Sequence, residues 1–174
     1  HKRSRIIGRL FQDPLRGSAP NMTIEENLAL AYTSGRIGPL RFPLTKKNRD
    51  LFREHLARFG MGLEDRVNVK VGTLSGGNQQ KIVVARELDR GCRMLIAAQP
   101  TRGVDIASAD YIQGRILAAA EQGCAVLLIS SDLDELIKVS DRIMVLFRGQ
   151  IMGFVDADNA TREALGRMML GEAH

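Results

Sequence analysis

The sequence predicts an α/β fold with a mainly parallel sheet. Two observations carry that expectation. Short apolar runs at 94–98 ("MLIAA") and 124–130 ("CAVLLIS") alternate with segments of helical period, the strand–helix–strand order that gives parallel pairing and a sheet buried on both faces. In addition, "LSGGNQQK" sets two glycines behind a serine directly ahead of a helix. That arrangement lets backbone N–H groups approach an anion at the positive end of a helix dipole.

Taken in order, "RIIGRLFQ" has strand character and ends at the polar Gln12. "DPLRGSAPN" is dense in Pro and Gly and predicts a loop. Thr23 and Glu26 have capping-box spacing, which starts a helix through Leu28 and Leu30 to about Tyr32. A second loop, "TSGRIGPLRFPL", precedes a helix over 45–59 in which Leu51, Phe52, Leu56 and Phe59 share one face. Gly60 and Gly62 end it. "VKVGTLSGGN" is a further break before the amphipathic helix "QQKIVVARELDR" with Ile82, Val83 and Leu88.

Beyond it the expected elements are strand 94–98, helix 107–122 ending at Gly123, strand 124–130 and helix 132–139. Strands 143–147 and 151–155 flank a hairpin turn at Gly149, and helix 161–170 follows. The region 17–72 is helical and connecting. Residues 73–174 would hold the signature helix, the sheet core and the closing hairpin and helix, all within one partial domain over 1–174.

Composition narrows the function classes. The 174 residues are 44% hydrophobic and 26% charged, enough for one domain with a real core. No apolar run approaches the ~18 residues of a membrane-crossing helix, and no signal-peptide pattern is present. Cys92 and Cys124 each adjoin an expected strand and cannot form a multi-bridge framework, which fits a reduced, cytoplasmic setting. Residues 1–60 carry 12 Lys/Arg against 5 Asp/Glu, and residues 61–174 carry 13 against 15. A basic half suits an anionic partner, whether nucleotide, nucleic acid or lipid surface, or a solvated helix face over "KKNRDLFREHLARF". That stretch lacks the interleaved aromatics of a single-strand binder, so nucleic acid is not an expected partner. The chain opens without an initiator Met and reads as a fragment lacking N-terminal strands.

Several motifs then fall into one order. "LSGGNQQK", a helix, an apolar strand and "PTRGVD" resemble the ATP-binding cassette of ABC transporters, a P-loop NTPase-like core with a helical subdomain inserted after the Q-loop. The signature is matched at Leu74 to Gln80, the Q-loop at Gln12, and the D-loop at Gly103, Val104 and Asp105. Residues 74–174, with "ISSDLDEL" and "MMLG", resemble the second cassette of sugar- and nucleoside-importer ATPases. Residues 1–73 are more similar to single-cassette ATPases of amino-acid uptake systems.

The resemblance implies ATP and Mg²⁺ as ligands. It implies Gln12, Ser75, Gly76, Gly77, Gln79 and Asp105 as nucleotide-site residues, with Gln12 reaching the metal indirectly. It makes Leu95, Ile96, Ala97 and Ala98 the Walker B strand. On that strand Ala98 stands at the Asp position, Gln99 at the catalytic Glu position, and Ser131 at the switch-His position. Ala98 has no oxygen for a metal, and Gln99 can hydrogen-bond a water without taking its proton. Losing a general base costs about 10²–10⁴ in rate. Small residues packed in a crowded strand would equally explain Ala97 and Ala98, and Ser131 reads as a helix N-cap ahead of Asp132, Asp134 and Glu135. No Gly-Lys pair of a phosphate loop occurs in the chain.

The family geometry implies a head-to-tail pair of cassettes in which Ser75 to Gly77 close over ATP held by the partner. The chain's own hydrolytic site is then degenerate. Further implied partners are a second cassette (in a homodimer or in tandem), transmembrane permease subunits and a solute-binding protein, at the cytoplasmic face of the membrane. Asp13, Pro14, Met22, Thr23 and Glu26 would meet the membrane subunit. Two other readings compete with an importer of a sugar, nucleoside or amino acid: a non-transport ABC protein, and a non-enzymatic binding or regulatory module.

Overall fold

In the computed structural model, which describes residues 6–30 and 46–172, β1 (Ile7–Leu10) and β2 (Met94–Ala98) pair in parallel, with Ile7 opposite Met94 and Leu10 opposite Ala97. β3 (Ala125–Ile129) extends the sheet in the order β1-β2-β3. Gly8 and Leu10 of β1 and Leu95 and Ala97 of β2 are buried. The expected burial of both faces does not hold at β3, where Leu127 and Ile129 are exposed. Full burial needs a helical layer on each side, and over β3 the described residues do not supply it.

Two local expectations are also corrected. The Pro/Gly-rich stretch after Gln12 contains a single helical turn, α1 (Pro14–Gly17), because Asp13 caps Leu15 N at 3.0 Å and Pro14 suits the first helical position. The signature helix α4 (Gly76–Asp89) starts three residues before its expected beginning. Ser75 is its N-cap, accepting from Asn78 N at 3.4 Å, so both glycines lie inside the first turn and not in a break before it.

The capping box is formed as expected at α2 (Ile24–Ala29): Glu26 N donates to Thr23 Oγ1 at 3.2 Å, and Thr23 N donates to Glu26 Oε2 at 2.8 Å. The expected run of this helix to Tyr32 and the second loop lie outside the described residues. Helix α3 (Lys46–Phe59) buries Phe52 and Leu56 and ends at Gly60. These two side chains join Ile24, Leu28, Val71 and Ile82 in a core shared by α2, α3, the 3₁₀ turn at Val71–Thr73 and α4. Strand-like bonds stitch the segment before the signature to α2, with Ile24 N donating to Val69 O at 3.0 Å and Val71 N to Met22 O at 3.0 Å. Helix α5 (Ile106–Glu121) packs on α4 and returns the chain from β2 to β3.

The chain divides into two compact units, His1–Leu127 and Leu128–His174. The second holds α6 (Leu133–Val139), β4 (Arg142–Phe147), β5 (Gln150–Asp156) and α7 (Arg162–Met169). β4 and β5 form the expected antiparallel hairpin. Arg148 and Gly149 both take positive φ (47° and 80°), the backbone that a tight two-residue turn requires. Ile143, Val145, Leu165 and Met168 are its core. The cap of α6 is Asp132, not Ser131: Asp132 Oδ1 accepts from Asp134 N at 3.0 Å and Glu135 N at 3.3 Å. A carboxylate is the stronger acceptor at a positive helix end, which moves the cap one residue on.

Candidate functional site

Parallel pairing fixes the first part of the site. Leu10 stands opposite Ala97, so Gln12 and Gln99 each lie two residues past a matched pair, at the carboxyl edge of the sheet. Open α/β sheets bind ligands at that edge. Gln12 is exposed there, while Ala98 and Gln99 are half-buried. Gln99 takes a left-handed backbone (φ 50°), and its carbonyl accepts from Arg102 N at 3.2 Å, turning the chain toward Gly103, Val104 and Asp105. Leu95 and Ala97 are buried and Ile96 half-buried, so β2 brings no carboxylate to this edge.

The N-terminal turn of α4 supplies the second part. Ser75 and Gly76 are exposed and Gly77 is buried. A Cβ added to Gly77 would stand 2.5 Å from Ser108 Oγ and 2.8 Å from Asp105 Oδ2, whereas one added to Gly76 would meet nothing within 4 Å. The two glycines therefore do different things: Gly77 permits close packing on α5, and Gly76 leaves its backbone open to solvent. Asp105 caps α5, with Oδ1 accepting from Ser108 N at 2.8 Å and Oδ2 from Ser108 Oγ at 2.7 Å. The Ser108 hydroxyl and N–H hold its carboxyl below the usual carboxylate range, with a smaller pull from Lys81. Gln79 is buried, and its Nε2 donates to Leu74 O at 2.8 Å, bracing the turn ahead of the signature.

A third set of contacts joins these two parts. Gln80, fully buried, donates from Nε2 to Phe11 O at 3.2 Å, one residue before Gln12. Arg86 donates to the Gly17 carbonyl, and Glu87 Oε2 accepts from Arg9 N at 3.4 Å. The segment around Gln12 is thus bonded along the length of α4. Arg86, Glu87 and Ser108 were not foreseen from the sequence, and Gln80 only as the last residue of the signature. Asp105 and Ser108 have the spacing of an N-cap and its third residue, which would have found Ser108.

Asp13 and Thr23 are helix caps, Glu26 closes the capping box, Pro14 opens α1, and the Met22 carbonyl accepts from Val71 N. Beside them Phe11 and Leu15 are large and exposed, an apolar pair that sequence reasoning passed over. Ser131 is exposed in the second unit, one residue before the α6 cap. Among the described residues no three His, Cys, Asp or Glu side chains gather as a metal site. Ala98 offers no side-chain oxygen, and both carboxylate oxygens of Asp105 accept hydrogen bonds from Ser108. Among the described residues no helix is long and apolar enough to cross a membrane.

Residues 1–102 match the family model described as ABC transporter. The chain is 40% identical over 168 residues to the nucleoside import ATP-binding protein NupA of Lactococcus lactis subsp. cremoris, covering 95% of this chain and 33% of that protein. It is 36% identical over 174 residues to the ribose import ATP-binding protein RbsA of the same subspecies, covering 95% and 33%. Among solved structures it is similar to a dimeric ATP-binding cassette in a post-hydrolysis state bound to ADP and Pi, with a TM-score of 0.73 and 26% identity over 90% of this chain and 65% of that one. The chain spans about a third of the length of the curated relatives it matches.

Proposed function

The chain belongs to the ABC transporter family, and from that premise we propose that it is the energy-coupling, nucleotide-binding part of an importer for a small solute. The names of the relatives, nucleoside and ribose importers, support a nucleoside or sugar over an amino acid. One observation carries the mechanistic reading. Gly77 is seated on Asp105 and Ser108, so Ser75 and Gly76 are presented outward at a helix N-terminus, while β2 ends at Ala98 and is followed by Gln99, neither of them a general base.

The outward face is suited to a γ-phosphate held by a second cassette. There the N–H groups of the α4 first turn and the Ser75 hydroxyl would stabilise charge developing in the transition state. ATP held on this chain's own side would meet a water that Gln99 can orient but not deprotonate. Paired with a second, non-identical cassette that keeps its own general base, the chain makes an asymmetric ATPase with one working site. Gln12 would sense nucleotide at the sheet edge, and α1 and α2, with Asp13, Pro14, Met22, Thr23, Glu26 and the exposed Phe11 and Leu15, would meet the permease at the membrane's cytoplasmic face.

The test is the ATPase rate of the assembled full-length transporter. Ser75→Ala should remove most turnover, at least tenfold, whereas Gln99→Glu alone should change the rate less than twofold. Equal effects of the two substitutions would overturn the asymmetric site. Nucleotide binding with no turnover in the complete assembly would favour the non-enzymatic module.

A further inference from the structure

At the end of the sheet opposite Gln12 and Gln99, β2 and β3 each begin beside a cysteine. Cys92 and Cys124 are free thiols whose sulfurs lie 3.6 Å apart. Ala125 N donates to Arg93 O at 3.0 Å, which ties the two strands together one residue past the cysteines. Adjacent strands lie about 4.7–4.9 Å apart, inside the range of Cα separations, about 4.4–6.8 Å, that a disulfide spans. Both thiols line a cavity of about 510 Å³ together with Arg93, Arg115 and Asp89. Two guanidinium groups against one carboxylate give its wall a positive balance.

We propose that Cys92 and Cys124 are a reversible oxidation site that takes an anionic low-molecular-weight disulfide in this cavity and closes into a bond between β2 and β3. The order of steps follows from the packing of Cys92 against β1. Cys92 packs against Gly8 of β1, and its thiol is pushed up to about 11 by burial, then by its hydrogen bond with Cys124. Gly8 covers the Cys92 sulfur from one side, so the external disulfide meets Cys124 first. The Cys124 thiolate attacks one sulfur of the external disulfide RSSR, forming Cys124–SR and releasing RS⁻. The Cys92 thiolate then attacks Cys124 Sγ, forming the Cys92–Cys124 bond and releasing the second RS⁻. Two protein thiols are oxidised, one external disulfide is reduced, and the two cysteine protons finish on the released thiols. Intramolecular attack from 3.6 Å offsets the low thiolate fraction of Cys92.

The experiment equilibrates the full-length protein in mixtures of reduced and oxidised glutathione, quenches with acid, alkylates and maps peptides by mass spectrometry. The expected result is a Cys92–Cys124 linked peptide that rises with the oxidised fraction and disappears in reduced buffer. Cys92→Ser should strand glutathione on Cys124, and Cys124→Ser should leave Cys92 at least tenfold slower to react. Glutathione disulfide should outpace neutral hydroxyethyl disulfide several-fold, an advantage reduced by Arg93→Gln. Full alkylation of both cysteines in oxidised glutathione, or glutathione retained on the wild type with no linked peptide, would overturn the site. Equal rates with the two disulfides would overturn its preference for an anion.

Discussion

Gly77 and Asp105 approach so closely that a single methyl group cannot come between them: a Cβ on Gly77 would lie 2.8 Å from Asp105 Oδ2. The signature turn and the D-loop are therefore one packed unit, and the glycine is there for space.

The two glycines of the signature should respond differently to alanine. Gly77→Ala must push Asp105 and Ser108 aside and should cost about 1–3 kcal/mol, the usual range for overpacking. Gly76→Ala meets open space and should leave stability unchanged or slightly raised, since alanine is the better helix former. Urea unfolding of both variants checks this. If Gly76 backs onto a phosphate in the assembly, Gly76→Ala should still lower transporter ATPase at least fivefold.

Gln80 should couple the signature helix to the segment around Gln12. Gln80→Leu leaves the Phe11 carbonyl without the donor it now has at 3.2 Å. Gln80 is buried but Phe11 is exposed, so water can partly replace that donor and the cost falls to about 1 kcal/mol, the low end for a lost hydrogen bond. The expected outcome is a lower urea midpoint together with transport that falls further than ATPase. A proportional fall in both would mean that Gln80 serves stability alone.

Most of the fold was legible because strands, helices and their caps are written locally. Thr23 with Glu26, the apolar run Met94–Ala98 and the turn at Gly149 each announce themselves within a few residues. The start of α4 was misplaced because two glycines read as a break, while the competing signal, Ser75 as a cap, is equally local and prevailed. At α6, serine and aspartate compete for one cap, and the choice depends on the charge at the helix end. The seating of Gly77 on Ser108 and the reach of Gln80 to Phe11, 69 residues away, depend on tertiary packing and leave no periodic trace. Of the site, the motifs were legible and the bonds joining them were not.

Asp105 should make stability pH-dependent on the acid side. Its carboxyl is held below the ordinary value by Ser108, so the unfolded chain binds this proton more readily than the folded one. The stabilisation is fully present above the ordinary value, about 3.9, and is lost as pH falls through the lowered value. Asp105→Asn retains a cap without the charge. The Tm gap between wild type and Asp105→Asn should be constant above about pH 5 and close below pH 4. A gap that persists unchanged at pH 2 would show that Ser108 does not depend on the ionised form.

Glu25 is a carboxylate 3% exposed whose Oε1 meets Arg49 Nε at 3.1 Å. Burial pushes its carboxyl up, and Arg49 opposes this with a smaller effect. The sign is opposite to that of Asp105. The folded state holds this proton more tightly than the unfolded chain, so ionised Glu25 is a cost that appears as pH rises through the raised value. Arg49→Ala removes the compensating charge. Breaking a fully buried pair costs about 3–5 kcal/mol, but the Arg49 side chain is 42% exposed, which brings the expected loss near pH 7 to about 1–2 kcal/mol. Glu25→Gln removes the buried charge itself and should be neutral or stabilising at that pH. Chemical denaturation at pH 7 and at pH 4 distinguishes the contributions: the Arg49→Ala penalty should shrink in acid, where Glu25 is protonated. In the Glu25→Gln background the penalty should be small at both pH values. An Arg49→Ala loss of equal size at both would locate its contribution in the packing of its aliphatic stem instead of in its charge.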